Sequence, residues 1–289
     1  MANGFGKLMG STQVEEMGTI ETPIIVTNTL SVPTAADAVI DYILSLPGNE
    51  RVESVNAVVG ETNDSWLNDI RGRHLKKEHV LEAIRKAAGG PVEEDCVGAG
   101  TGTMCYDHKG GIRTSSRRLP DSRGGHTVGV LVQTNHGGVL QINGFQVGVR
   151  LGNYYMKKDL EAPGDGSCMI VVATDAPLDS RNLKRLARRA LLGIARNGGV
   201  YSSGSGDYAI AVSTAREVRV PHRSSKPEQS LTLLRNEQMS PLFLAAAEAA
   251  EEAILNSLFK ARRMEGRGGH VAEALPLDKI KELVAEKKE

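Results

Sequence analysis

Gly166 and Ser167, followed by the apolar run Met169-Ile170-Val171-Val172-Ala173, are the residues of this chain in which chemistry is most readily read. Glycines punctuate the loop before them (Pro163-Gly164-Asp165-Gly166), and Ser167 opens a segment with the pattern of a fully buried strand. Gly166 has no side chain to keep the serine hydroxyl from the carbonyl just before it, and glycine tolerates the backbone angles such an approach needs. Attack of Ser167 Oγ on the Gly166 carbonyl, then hydrolysis of the ester, would divide the chain into residues 1–166 and 167–289. Ser167 would gain a free α-amine with a reference pKa of about 7.7–8.0, suited to act as general base for its own hydroxyl. An ordinary loop entering an ordinary strand can be written with the same residues. The reading therefore rests on their companions.

Ser205 and Asp207 lie in Ser202-Ser203-Gly204-Ser205-Gly206-Asp207, which leads straight into the apolar run from residue 208 to 212. Two apart in an extended segment, they point to one side, where a hydroxyl and a carboxylate could relay a proton. A glycine-serine turn ending in aspartate has the same composition. Residues 127–134 and 139–143 flank Asn135-His136-Gly137-Gly138 and predict a hairpin with Asn135 at its tip. The Asn135 amide could donate to a developing oxyanion, a contact typically worth about 2.7–4 kcal/mol in the transition state. Asparagine is also a common hairpin-turn residue.

Other candidates fall away. Gly98-Ala99-Gly100-Thr101-Gly102 and Lys109-Gly110-Gly111-Ile112 superficially suggest a phosphate loop, but the Gly-Lys-Ser/Thr ending is missing. They predict backbone packed tightly against a neighbour. His74 and His79 fall on different helical faces and no HExxH occurs, so neither a metal nor another cofactor is expected. Gly-x-Ser-x-Gly surrounds neither Ser167 nor Ser205. Cys168 reads as a small core residue. Three cysteines without a CxxC predict reduced thiols and a cytoplasmic setting. The formal net charge is zero, so no global field favours nucleic acid or an anionic membrane. Arg181, Lys184, Arg185, Arg188 and Arg189 then read as a solvated face or a subunit contact. No apolar run approaches the ~18 residues needed to span a bilayer.

The elements that must position these residues alternate along the chain. Ile24-Ile25-Val26 reads as a buried strand, and Thr34 as the cap of a helix stopped at Pro47-Gly48. Residues 55–60 read as a strand and 76–88 as an amphipathic helix. After the strand from Ser167 to Ala173 comes a helix over 179–196, then a strand over 208–212. Residues 221–238 form a polar excursion. An alanine-rich helix runs from Ser240-Pro241 to about Phe259, and a short helix carries Ile280, Leu283 and Val284. No linker divides the chain. One α+β domain with helices covering sheets is predicted.

Taken together these segments resemble the L-aminopeptidase/D-esterase family of self-cleaving β-aminopeptidases, which are similar to N-terminal-nucleophile hydrolases. The likeness runs through Asn3-Gly4-Phe5-Gly6, Gly60-Glu61-Thr62, the two glycine segments above, Thr114-Ser115-Ser116-Arg117, Gly164-Asp165-Gly166-Ser167 and Gly204-Ser205-Gly206-Asp207. It implies a four-layer αββα sandwich with its own connectivity and cleavage before Ser167, which becomes the nucleophile. It implies that Ser205 and Asp207 support Ser167, that Asn135 donates to the oxyanion, and that Glu61 holds the substrate's free amino group. Small peptide, amide or ester substrates and a homo-oligomer of cleaved pairs are further implications, with no metal. Asn63 stands where the family pattern has an aromatic residue lining the site, which bears on substrate preference. The pattern also carries a strand-bearing stretch ahead of Asn3, so an open sheet edge, exposed apolar surface and weakened activity are expected here. Two other readings are a non-cleaving binding homologue and an acyltransferase of the ornithine acetyltransferase class. The serine in place of threonine argues against the latter.

Overall fold

The apolar run after Ser167 is the middle strand of a five-stranded sheet in a computed structural model that describes residues 1–154 and 166–285. Pro163, Gly164 and Asp165 lie outside the described residues. In chain order the elements that build the site are β1 (Asn3–Gly4), β2 (Ile24–Asn28), α1 (Val32–Leu44), β3 (Val58–Thr62), α2 (Lys77–Lys86), β4 (Ile112–Arg118) and β5 (Thr127–Asn135). They continue with β6 (Ser167–Thr174), α3 (Ser180–Ala190), α4 (Leu192–Arg196), β7 (Gly206–Ser213) and α5 (Met239–Phe259). The large sheet has the order β1-β7-β6-β5-β4. Strand β6 is parallel to β7 and antiparallel to β5. Strands β2 and β3 pair in parallel as a second sheet, with α1 in the crossover that a parallel pair requires.

Side-chain alternation along β6 separates two cores. Cys168, Ile170 and Val172 face α3, α4 and α5, while Met169 faces the second sheet with Val58, Tyr208 and Ile210. A third core lies between β3 and the helices α1 and α2, around Ala35, Val39, Val59 and Val80. Helices, large sheet, small sheet and helices therefore stack as the four αββα layers implied by the resemblance. Gly60 lets the sheets meet: a Cβ there would stand 2.7 Å from Met169 Sδ. Gly193 does the same for the helices, since a Cβ would stand 2.6 Å from the Glu251 nitrogen of α5.

Several boundaries differ from the sequence reading. The predicted hairpin does not form. Strand β5 pairs with β4 and β6, while Val139 and Gln141 donate their N–H groups to the Gly198 and Asn197 carbonyls. Gly138, at φ 149, fits against Gly198 so closely that a Cβ would come within 2.2 Å of its carbonyl oxygen. A partner about sixty residues away wins over the local turn. Strand β4 has the sequence Ile-Arg-Thr-Ser-Ser-Arg-Arg, with too few apolar residues to show a period. Helix α1 begins at Val32 with Pro33 in its first turn, so Ser31 rather than Thr34 is its cap. The helix expected over 179–196 is two, α3 and α4, with the Asp179 side chain accepting from the Asn182 N–H. Arg185 and Arg189 of the basic stripe lie over the Phe243 ring rather than wholly in solvent.

One sheet edge is open. Among the described residues β7 pairs outward only through Gly206 and Asp207, and a groove of 1420 Å³ runs along its residues 208–211.

Packing at Gly193 sets a measurable cost. Replacing Gly193 by alanine is expected to destabilise by about 1–3 kcal/mol, because the atoms it meets are α5 backbone and the Ala250 Cβ, none of which can swing away. Gly129→Ala serves as the control, its nearest neighbour being 3.9 Å away. Chemical denaturation of both variants checks the difference.

Candidate active site

Three strands of the large sheet end level with one another, and their ends carry the site. Ser167, first residue of β6, is the register partner of Asn135, last of β5, and of Gly206, first of β7. The Ser167 hydroxyl is buried and accepts the Gly206 N–H at 3.1 Å. Gly166 is pressed against the end of β5: a Cβ there would lie 2.0 Å from the Asn135 carbonyl oxygen and 2.6 Å from His136 Cα. No other residue fits at that position without moving the strand. The unhindered junction expected from sequence is therefore also a sterically enforced one.

Asn135 is buried and its amide is fixed from both sides. Its Oδ1 accepts the Met104 N–H at 2.9 Å and its Nδ2 donates to the Asn63 carbonyl at 2.8 Å. Each partner can bond only one end of the amide, so the orientation is set and one N–H remains to be given. Asn63, expected as a substrate-lining side chain, contributes here through its backbone. Its own Oδ1 accepts the Ser65 N–H in a local turn.

Glu61, in the fully buried strand β3, reaches the same region from the second sheet. It accepts the Lys7 N–H at 2.9 Å and the Thr29 hydroxyl. Gly6 links it to the strand ends, since a Cβ on Gly6 would meet Glu61 Oε1 at 2.8 Å and Gly206 Cα at 3.2 Å. A carboxylate has lone pairs for about four donors, so these two leave capacity for a cation. Asp64 is a second buried carboxyl close by, which the sequence reading passed over. Burial pushes its pKa up, the Asn68 side chain draws it down, and the Glu61 charge adds a smaller rise. Its Oδ1 has no partner among the described residues. The one available signal was its place three residues after Glu61, on the loop that also supplies the Asn63 carbonyl.

Ser205 and Asp207 are buried at the same end of the sheet, but neither hydrogen-bonds Ser167 Oγ in the undivided chain. Asp207 is the register partner of Cys168, so the pleat turns it toward the helix side, opposite to Ser167. Among the described residues Ser205 Oγ and Asp207 Oδ2 are both without partners, as is the Tyr106 hydroxyl. Burial raises the Asp207 carboxyl to about 6, with the nearby Ser205 hydroxyl and the Cys168 backbone pulling the other way. His136, adjacent in sequence to Asn135, offers no base: burial pushes it down to about 4, and it packs edge-on against Tyr106. Cys168 is the core residue expected, its thiol raised by burial.

Four layers with a serine heading a central strand beside a fixed amide define a hydrolase with the N-terminal-nucleophile type of fold. The sequence pattern of peptidase family S58 matches residues 1–272. The chain belongs to peptidase family S58. It is 39% identical over 298 residues to the beta-peptidyl aminopeptidase BapA of Sphingosinicella microcystinivorans, covering 98% of this chain and 74% of that protein. The PH0078 protein from Pyrococcus horikoshii OT3 is 46% identical with a TM-score of 0.88, over 99% of this chain and 78% of that chain. The L-aminopeptidase D-Ala-esterase/amidase from Ochrobactrum anthropi is 33% identical with a TM-score of 0.89, over 99% of this chain and 79% of that chain. It is described as a prototype for the serine aminopeptidases and a new variant among the Ntn hydrolase fold. Family and relatives together support an aminopeptidase. Among the described residues no helix is long and apolar enough to cross a membrane.

Asp207 gives a pH signature. Its folded pKa stands above the unfolded 3.8, so its contribution to stability is full below about pH 4 and is lost as pH rises through 6. In a Ser167→Ala background, Asp207→Asn is expected to gain stability relative to Asp207 between pH 4 and 8. The gain is on the order of 2–3 kcal/mol, flat above about pH 7, and urea titrations across that range measure it.

Proposed function

We propose that this chain is a self-processing serine aminopeptidase that releases N-terminal residues from short peptides, amides or esters. The observation that carries the reading is the junction itself. Ser167 Oγ is held by Gly206 at the strand end, and Gly166 is wedged against Asn135 with no room for a side chain. Ser167 Oγ attacks the Gly166 carbonyl, the amide nitrogen leaves as the Ser167 α-amine, and water releases the Gly166 carboxylate from the ester. Ser205 Oγ and Asp207 Oδ2, buried at this end of the sheet and without partners among the described residues, take up hydrogens of the released amine.

In turnover the α-amine accepts the Ser167 hydroxyl proton, a base that the neutral, buried His136 does not provide. The substrate's ammonium group is held by Glu61, which excludes substrates lacking a cationic amino end. The remaining Asn135 N–H meets the oxyanion as it develops. The scissile bond then breaks, the leaving amine or alcohol takes the proton from the α-ammonium, and water hydrolyses the acyl-serine. No cofactor or metal enters these steps, and the divided pair assembles as a homo-oligomer. Asn63, in place of an aromatic side chain, leaves the mouth of the site more open to extended acyl groups.

Ser167→Ala is expected to leave a single chain, while the unmodified protein gives two fragments that meet at Gly166 and Ser167. Intact-mass analysis of protein kept under protease inhibition distinguishes them. Division of the Ser167→Ala variant at the same bond would overturn the reading. Asn135→Ala, measured in divided protein, should lower kcat roughly a hundredfold or more with a smaller change in KM. Steady-state hydrolysis of alanyl p-nitroanilides provides that measurement.

A further inference from the structure

Lys109 is among the largest fully buried side chains, yet its ammonium faces carbonyls rather than a carboxylate. Its Nζ donates to Gly100 O at 2.9 Å and to Gly110 O at 2.7 Å. The Cys96 side chain beside it is pushed toward its neutral thiol by burial, and Asp95, the next acid whose charge reaches it, is ion-paired with Arg113 and Arg262. Burying a cation without its own counter-ion is costly, and burial draws this lysine's pKa down. A neutral side chain of the same length would fill the space at lower cost. The charge therefore calls for a use.

The hydrogen bonds around it lead to Asn135. Gly110 N–H donates to Thr103 O at 3.1 Å, and the other end of that same peptide, Met104 N–H, donates to Asn135 Oδ1 at 2.9 Å. Every donor in this series points toward the Asn135 amide, and aligned hydrogen bonds polarise one another. Each step makes the remaining Asn135 N–H a stronger donor. The two carbonyls under Lys109 fasten the series at both margins. Gly110 lies against β5, where a Cβ would come within 2.8 Å of the Thr134 carbonyl oxygen, and Gly100 O also accepts the Thr103 hydroxyl at 3.1 Å.

We propose that Lys109 is a positioning residue for oxyanion stabilisation, its ammonium fixing the Gly110 and Gly100 carbonyls and with them the backbone that runs through Gly110, Thr103 and Met104 to Asn135. This rests on the reading of Asn135 as the oxyanion donor. Lys109 acts when charge develops on the substrate oxygen, and so on kcat rather than on ground-state binding.

A double-mutant cycle tests it in divided protein, with β-alanyl or L-alanyl p-nitroanilide as probe, whichever the unmodified protein hydrolyses faster. Lys109→Met is expected to lower kcat about tenfold or more with KM within about twofold, and to cause no further loss when Asn135 is already alanine. Lys109→Gln, which keeps donors without charge, should lose activity in the same direction. Where a variant divides slowly, the rate of division by intact mass gives the same comparison. Unchanged kcat, or losses that multiply in the double variant, would overturn the proposal. So would failure of both Lys109 variants to fold, which would assign the lysine to the core alone. An Asn135→Ala variant with unchanged kcat would instead remove the oxyanion reading beneath it.

Discussion

Everything in this molecule depends on three strands ending in register. Asn135, Ser167 and Gly206 come from segments separated by tens of residues, and backbone pairing alone sets them side by side. A slip of one residue in either ladder would turn Ser167 to the other face and pair it with a different neighbour. The surrounding design guards against that slip. Strand β6 must place Met169 between the sheets and Cys168, Ile170 and Val172 under the helices, and an error would bring the polar Ser167 and Thr174 into one core or the other.

The polar groups around the strand ends are arranged in two kinds. Asn135 has its amide anchored at both ends, and Glu61 has a donor on each oxygen, so their orientations are fixed before any substrate arrives. Ser205 and Asp207 are buried, each with an oxygen unpartnered among the described residues. Fixed donors lower the reorganisation needed as charge develops. The site is a mixture of finished and unfinished bonding. That mixture fits a chain still in one piece.

Much of this was legible from residue order. Strand β6 shows as an apolar run because it is covered on both faces, and α5 as an alanine-rich helix because small residues let it pack closely on the sheet and on α3 and α4. The layer order and the role expected of Glu61 came instead from likeness to a family, while the Asn135 amide reads as an oxyanion donor on its own chemistry. Residues that act through backbone were invisible: the Met104 and Gly206 N–H groups and the Asn63 carbonyl have no side-chain signature. The hairpin expected at Asn135 failed because Gly138 prefers a tight fit against Gly198, a contact that local turn chemistry cannot anticipate. Strand β4 is held by its place beside β5 and against α5, so its own residues are free to be polar. Asp64 was hidden by its ordinariness, an aspartate in a loop whose burial only the folded chain reveals.

The boundary between residues 166 and 167 falls between β5 and β6, two strands paired along eight positions in the middle of the large sheet. Residues before it supply β4 and β5, and residues after it supply β6, β7 and α5, so the two parts interleave rather than sit end to end. Were that covalent link cut, loss of structure would become a bimolecular problem in reverse. Each part would expose its share of a common core, and regaining the fold would require two chains to meet while both are collapsing on themselves. Endurance of such a pair is then governed by how slowly it comes apart, not by an equilibrium to which it can return. A single broken peptide bond would turn a reversible fold into a one-way assembly.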